Sequence, residues 1–261
     1  MRMENGAILD HRRLTEDYRL LTVECPEVSS RVRPGQFVHV RIPGAPMLSL
    51  RRPFTVYKAD GRGLTVLYKV VGEGTALLQR LTPGTRMSVL GPLGNGFPSP
   101  AADRTPVLVA GGFGVAALYM LANASPARGS LFAGARTARD LLGLMDFVEM
   151  GWNVEVATDD GSSGFHGTVT ALLESRVQVA DALKNPVFYA CGPNPMLRAV
   201  GEVAIRIGSQ AWLSMDRHMG CGVGACLACV QRIRRDDGAW EWKRVCREGP
   251  VFECRQIDWG S

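Results

Sequence analysis

Short β-rich runs, each bounded by proline or glycine, fill the first hundred residues: Tyr18–Val23, Gln36–Ile42, Phe54–Tyr57, Leu64–Val71 and Thr85–Leu90. Turn formers such as Arg33-Pro-Gly35 and Thr82-Pro-Gly84 separate them, the pattern of antiparallel strands. About six strands at this spacing predict a small closed β-barrel. One helical piece, Gly74–Leu81, interrupts it, and the proline-rich stretch Phe97–Asp103 marks a boundary. From Thr105 the period changes. Apolar strands at Val107–Ala110, Ser130–Ala133, Val154–Ala157, Val187–Ala190 and Ala211–Ser214 alternate with helical segments at Val115–Asn123, Ala138–Val148, Thr168–Leu173 and Pro195–Ile207. That rhythm predicts an α/β, doubly wound parallel sheet. The expected domains are 1–101 (barrel), 102–214 (α/β) and 215–261, the last too small for a large core and carrying a hairpin around Asp236-Asp-Gly238.

Composition narrows the classes. A 46% hydrophobic, 21% charged chain is an ordinary folded protein. Net charge is +5 with both signs interspersed, and Arg232, Arg234 and Arg235 form the only tight basic cluster, so no nucleic acid is expected. The N-terminus has no apolar core, which predicts no signal peptide. The most apolar stretch, 106–122, is broken by Gly111, Gly112 and Gly114, so no membrane span is expected. Seven cysteines in such a chain point to a reducing cytoplasm and to metal-binding or free thiols.

Three of those cysteines sit in Met219-Gly-Cys-Gly-Val-Gly-Ala-Cys-Leu-Ala-Cys-Val230. Cys221, Cys226 and Cys229 have the C-x4-C-x2-C spacing of plant-type ferredoxins, which takes a fourth cysteine from further along the chain. Cys246 and Cys254 are the two candidates. Four thiolates hold a 2Fe-2S cluster, an acceptor of single electrons. Gly222 and Gly224 let the loop wrap closely, and their own N–H groups can point at the sulfides with no Cβ in the way. Zinc is the rival, although zinc knuckles usually come as paired C-x2-C units.

Two further motifs carry chemistry. Arg52-Pro-Phe-Thr55 opens one strand, and Tyr68-Lys-Val-Val-Gly-Glu-Gly-Thr75 ends another and starts a helix. The pair resembles the flavin signature of the ferredoxin reductase superfamily. That resemblance implies bound FAD, with Arg52 on the pyrophosphate, Phe54 against the isoalloxazine, Thr55 near flavin N5 and Pro53 within the motif. It also implies Leu67, Tyr68 and Lys69 along the isoalloxazine and ribose. Gly74 and Thr75 then offer the pyrophosphate a helix N-terminus. In the second domain, Gly111, Gly112 and Gly114 follow a strand and precede a helix, where a dinucleotide pyrophosphate would sit. Cys191, Gly192 and Pro193 belong to a turn resembling the superfamily's C-G-P-x-P-M, beside the nicotinamide. Cys191 reads as a packing residue there or as a buried structural thiol, not a cluster ligand.

The order barrel, nicotinamide domain, cysteine loop resembles the electron-transfer subunits of the NAD-linked, two-protein dihydroorotate dehydrogenases. The echoes are Leu90-Gly-Pro-Leu-Gly-Asn-Gly-Phe-Pro98, the cysteine loop, and Val245-Cys-Arg-Glu-Gly-Pro-Val-Phe252. In that family the cysteine before a basic-acidic-Gly-Pro-Val-Phe run is the fourth ligand, which selects Cys246 over Cys254. The resemblance implies electron relay between NAD, FAD, the 2Fe-2S cluster and the FMN of a separate catalytic subunit, in a 2+2 heterotetramer serving pyrimidine synthesis. This chain departs from the family turn at Phe113 and Ala116-Ala117. Arg136 and Arg139 stand where an acid would favour NAD over NADP, so the residues alone leave that choice open. His11, His39, His166 and His218 lie in no motif, so no acid or base for dihydroorotate is expected here. The alternatives are a related reductase subunit feeding ferredoxin, sulfur or a hydrogenase, and a degenerate flavin fold with a zinc site.

Overall fold

Gly6 sits where the first strand passes so close to its neighbour that a Cβ would lie 1.6 Å from the Glu24 carbonyl oxygen. This bend lets β1 (Arg2–Arg13) pair at its start with one half of a sheet and at its end with the other. The computed structural model describes residues 1–44, 49–179 and 183–260, so Ser261, the expected end of the third domain, lies outside them. After β1 come β2 (Tyr18–Glu24), α1 (Pro26–Ser29), β3 (Phe37–Arg41), β4 (Arg52–Thr55), β5 (Lys58–Ala59), β6 (Gly63–Lys69), α2 (Glu73–Leu78) and β7 (Arg86–Leu93). They form an antiparallel seven-stranded sheet in the order β4-β3-β7-β1-β2-β6-β5. Its edge strands, β4 and β5, are consecutive in the chain, so the sheet curls until its edges meet. The link amides bond back, Val56 N–H to Gln36 O at 3.1 Å and Tyr57 N–H to Thr65 O at 2.9 Å. Ile8, Leu21, Val38, Val40, Val66 and Val89 fill the interior.

The second sheet begins with β8 (Thr105–Gly111), α3 (Val115–Ala124), β9 (Ser130–Ala135), α4 (Leu144–Glu149) and β10 (Asn153–Thr158). It continues with β11 (Phe165–His166), α5 (Val169–Val177), β12 (Pro186–Cys191), α6 (Asn194–Arg206) and β13 (Gln210–Ser214). Strand alternation explains why it is wound on both faces. Val107, Val109, Phe132, Phe188 and Ala190 point into a core with α5 and α6. Leu108, Ala110, Leu131, Ala133 and Tyr189 point into a second core with α3 and α4. One expected helix, Ala138–Val148, is instead a short 3-10 turn at Ala138–Asp140 followed by α4. Gly143 divides them with φ 65°, a left-handed backbone that continues no right-handed helix.

The C-terminal segment adds a hairpin, β14 (Val230–Arg234) and β15 (Trp240–Arg244), and then β16 (Val251–Glu253). Strand β16 returns to the parallel sheet and pairs antiparallel with β13, giving the order β11-β10-β9-β8-β12-β13-β16. The excursion carrying the cysteine loop therefore starts and ends on one sheet. Among the described residues no helix is long and apolar enough to cross a membrane.

Candidate functional site

The flavin-type residues meet at one end of the barrel. Arg52 on β4 lies against the first turn of α2, where a Cβ on Gly74 would be 2.9 Å from its Nε. Its Nη1 donates to Leu50 O at 2.8 Å. The Thr75 hydroxyl accepts from the N–H groups of Val71 (2.9 Å) and Gly72 (3.1 Å) and donates to Gly72 O (3.0 Å), fixing the turn that starts α2. A guanidinium beside a helix N-terminus places two positive features together, an arrangement that suits an anion.

Phe54 and Tyr68 meet edge to face, with ring centroids 5.6 Å apart. Both point into the barrel, so Pro53 and Thr55 take the outer face of β4. Leu67 joins the core shared with the parallel sheet, while Tyr68 is enclosed inside the barrel. His11 Nδ1 has only a carbonyl, Leu81 O, at 2.7 Å and so carries the proton. Its Nε2 then accepts the Tyr68 hydroxyl at 2.8 Å. Tyr68 thus offers the site its main chain rather than its phenol. Lys69 Nζ lies 3.5 Å from Asp17 and 5.2 Å from the Tyr18 ring centroid.

The two nicotinamide-type turns pack on each other at the carboxyl ends of β8 and β12, where the strand order reverses. Such a switch point is where open α/β sheets bind ligands. A Cβ on Gly114 would stand 2.1 Å from Cys191 O, and one on Gly111 would stand 2.7 Å from Pro193 Cδ. Gly192 Cα lies 3.4 Å from that same imagined Cβ on Gly111. Gly112 is left-handed, with φ 54°. The Cys191 residue is half-buried, but its sulfur is enclosed, and burial pushes the thiol up to about 12. Phe113, exposed at the tip, reaches Tyr18 of the barrel with centroids 6.3 Å apart. Arg136 and Arg139 are exposed just beyond β9.

The cysteines come as two pairs. Cys221 N–H lies 3.4 Å from Cys226 Sγ, and Cys246 N–H lies 3.4 Å from Cys229 Sγ. The N–H groups of Val223 and Ala225 point at Cys221 Sγ from 3.4 and 3.2 Å. Burial raises the Cys221 thiol, but these main-chain donors outweigh it and bring the group down to about 6. Burial, then the neighbouring Cys229, pushes Cys246 up to about 12. Among the described residues no three His, Cys, Asp or Glu side chains are grouped to hold a single metal ion. Two thiol pairs with amides aimed at sulfur fit a two-iron cluster, in which each iron takes two thiolates. Cys254 lies elsewhere. It is buried in a 3-10 turn after β16, and its Cβ approaches Gly201 of α6.

Several contacts escaped motif reading. Asn95 latches the barrel to the cluster segment: its N–H donates to Gly249 O at 2.5 Å, and its amide to Glu248 O at 3.0 Å. The two family echoes, 90–98 and 245–252, are thus one contact. Arg244 ties the cysteine loop to the Cys246 turn, through Nη1 to Gly224 O (3.0 Å) and Nε to Glu248 Oε2 (3.0 Å). Between barrel and α/β sheet, Asp146 of α4 accepts from the Tyr57 hydroxyl and pairs with Lys58 at 2.8 Å. His39 is fully buried on β3, and among the described residues neither ring nitrogen has a partner. Burial, then the nearby Arg51, lowers it to about 4. Each unpaired buried polar atom costs about 1–3 kcal/mol. Apart from the Arg244–Glu248 pair, four residues apart, these contacts had no local signal, because they join residues far apart in sequence.

Barrel, dinucleotide-type sheet and cysteine loop together define a ferredoxin reductase-like flavin oxidoreductase subunit. The model of the iron–sulfur cluster binding domain of dihydroorotate dehydrogenase B matches residues 216–258. The electron transfer subunit of dihydroorotate dehydrogenase B (NAD(+)) of Geobacillus kaustophilus is 40% identical over 262 residues, covering 97% of this chain and 98% of that one. Its counterpart in Caldanaerobacter subterraneus is 34% identical over 250 residues, covering 96% of both. Among solved structures, an NADH-dependent reduced ferredoxin-NADP oxidoreductase, studied for flavin-based electron bifurcation, has a TM-score of 0.84 at 30% identity. That match covers 98% of this chain and 90% of the other. A ferredoxin reductase of carbazole 1,9a-dioxygenase shares the fold at TM-score 0.68 and 22% identity, covering 80% of this chain and 66% of the other. The chain belongs to the family of electron transfer subunits of dihydroorotate dehydrogenase B (NAD(+)).

Proposed function

We propose that this chain relays electrons between NAD and the FMN of a separate dihydroorotate dehydrogenase catalytic subunit, by way of FAD and a 2Fe-2S cluster, in pyrimidine synthesis. One observation carries the reading. Strand β4, bearing Arg52-Pro-Phe-Thr55, runs beside β3, whose His39 touches the cysteine loop. Through Phe54 and Tyr68, β4 also meets β6, which pairs with β2 and so with Tyr18, the residue facing the nicotinamide turn. The residues assigned to cluster, flavin and nicotinamide thus follow one another in the order that the relay requires, which supports the reading.

In this reading 1–101 is the FAD domain, 102–214 the nicotinamide domain and 215–261 the cluster domain. Arg52, Gly74 and Thr75 bind the FAD pyrophosphate, while Pro53, Thr55, Leu67, Lys69 and the main chain of Phe54 and Tyr68 bound the ring system, since both rings turn into the barrel. Gly111, Gly112 and Gly114 admit the NAD pyrophosphate, with Cys191, Gly192 and Pro193 beside the nicotinamide. Cys221 with Cys226, and Cys229 with Cys246, hold the two irons. Bound FAD supplies the exchange between paired and single electrons that hydride and cluster chemistry demand. The names of the relatives favour NAD over NADP, and Arg136 and Arg139 then face solvent. The catalytic partner docks near Leu227, exposed between Cys226 and Cys229, in a cytoplasmic 2+2 heterotetramer.

An anaerobic visible spectrum of the purified chain, before and after NADH and without partner, tests the relay. Flavin and iron–sulfur absorbance that bleaches is expected. Colour that bleaches only with NADPH overturns the NAD assignment, and a colourless protein that stays colourless after reconstitution with FAD, iron and sulfide overturns the relay.

A further inference from the structure

A buried imidazole with no partner stands between the barrel and the cysteine loop. His39 is fully enclosed on the outer face of β3, since Val38 and Val40 on either side point into the barrel. Its cross-strand partner is Pro53 of the flavin-type motif, and its ring lies 5.7 Å from that of Phe37. Phe37 in turn joins the core containing Cys229, Val245 and Cys246. On the other side the ring meets Gly222, the residue after Cys221. A Cβ there would lie 2.4 Å from His39 Cε1 and 2.6 Å from each ring nitrogen. Both nitrogens therefore face the cysteine loop, and among the described residues neither finds an acceptor or donor.

Resting on the cluster assignment above, we infer that His39 is a positioning residue for the cluster: it seats Gly222 against the barrel and donates a ring N–H to the sulfur shell. Three features support this. Buried polar groups in folded proteins are almost always paired, so a fully enclosed imidazole implies an acceptor. Gly222 directly follows Cys221, whose Sγ already accepts from the N–H groups of Val223 and Ala225, so a cluster held there would bring further sulfur acceptors to the ring. In either protonation state the ring carries at least one N–H. Reduction adds negative charge to the sulfurs, so a donor strengthens its bond in the reduced cluster and raises the potential.

The test is a redox titration of the purified holo chain, with visible and electron paramagnetic resonance detection, for wild type, His39→Leu, His39→Asn and His39→Gln. His39→Leu is expected to keep its iron and sulfide content and to lose about tenfold in the reduced-to-oxidised ratio, a midpoint about 59 mV lower for one electron. At least one amide variant restores much of it. An unchanged midpoint in His39→Leu, or a shift that neither amide reverses, overturns the inference. If His39→Leu assembles no cluster, wild-type protein labelled with 15N-histidine decides. A 15N coupling to the reduced cluster, retained in His218→Gln, is expected, and its absence overturns the inference. Wild type without any cluster refutes the relay reading itself, a result distinct from a loaded cluster indifferent to His39.

Discussion

Gly222→Ala perturbs one contact in two separable ways. Gly222 has φ +71°, so any L side chain there pays about 1–2 kcal/mol for a left-handed backbone. The new methyl also lands 2.4–2.6 Å from three atoms of His39, which is buried and has no room to swing away. Overpacking of that kind costs about 1–3 kcal/mol, so the substitution should destabilise by about 2–5 kcal/mol in all. Denaturant unfolding of the holo chain, followed by cluster absorbance and tryptophan emission, reads the loss. Removing the ring separates the terms, because Gly222→Ala with His39→Ala keeps the backbone penalty and loses the clash. The double variant should be more stable than the sum of the single losses by about 1–3 kcal/mol. Additive losses, agreeing within about 0.5 kcal/mol, would falsify the packing argument.

Cys246→Ser should lose the cluster while Cys254→Ser keeps it, read as iron and sulfide per chain, and the reverse would reassign the fourth ligand. Gly114→Ala presses its methyl against the Cys191 carbonyl, main chain that no rotamer relieves. NADH oxidation with ferricyanide should then show KM raised about tenfold or more, a loss of about 1.4 kcal/mol, with flavin content unchanged. An unchanged KM would remove Gly114 from the nicotinamide site. The hydrogen bond from Arg244 holds the Glu248 carboxyl below its ordinary 4.5. Its stabilisation is therefore complete above about pH 4.5 and fades as pH falls through the lower folded value. Glu248→Gln should cost about 1 kcal/mol at neutral pH and flatten that acid limb, so parallel pH profiles for the two proteins would argue against the clamp.

Elements with their own periodicity were legible in the chain. The apolar strands of the parallel sheet alternate between two cores, and both glycine turns announce themselves. Strand β1 was not legible, because in Arg2–Arg13 only Gly6 and Ile8 are buried and no alternation marks it. Strand β16 was read as part of a ligand motif because Gly-Pro-Val-Phe serves two ends, closing the Cys246 turn and extending the sheet. Tyr68 shows the limit of residue-by-residue transfer: its place beside the flavin motif was foreseeable, but the pleat turns its ring inward toward His11. His39 had no signal at all, since its surroundings exist only once β3 and the loop after Cys221 are brought together.

Ser214 and Val251 are cross-strand partners. Residues 215–250 thus leave and rejoin the parallel sheet at adjacent positions, and Asn95 pins the return from the barrel side. A segment hinged at one end can swing between donor and acceptor, with a rate that solvent friction limits. A loop with both feet in one sheet has no such arc. Transfer between flavin and cluster should therefore be fixed by a standing distance, and its rate should not change when glycerol thickens the solvent.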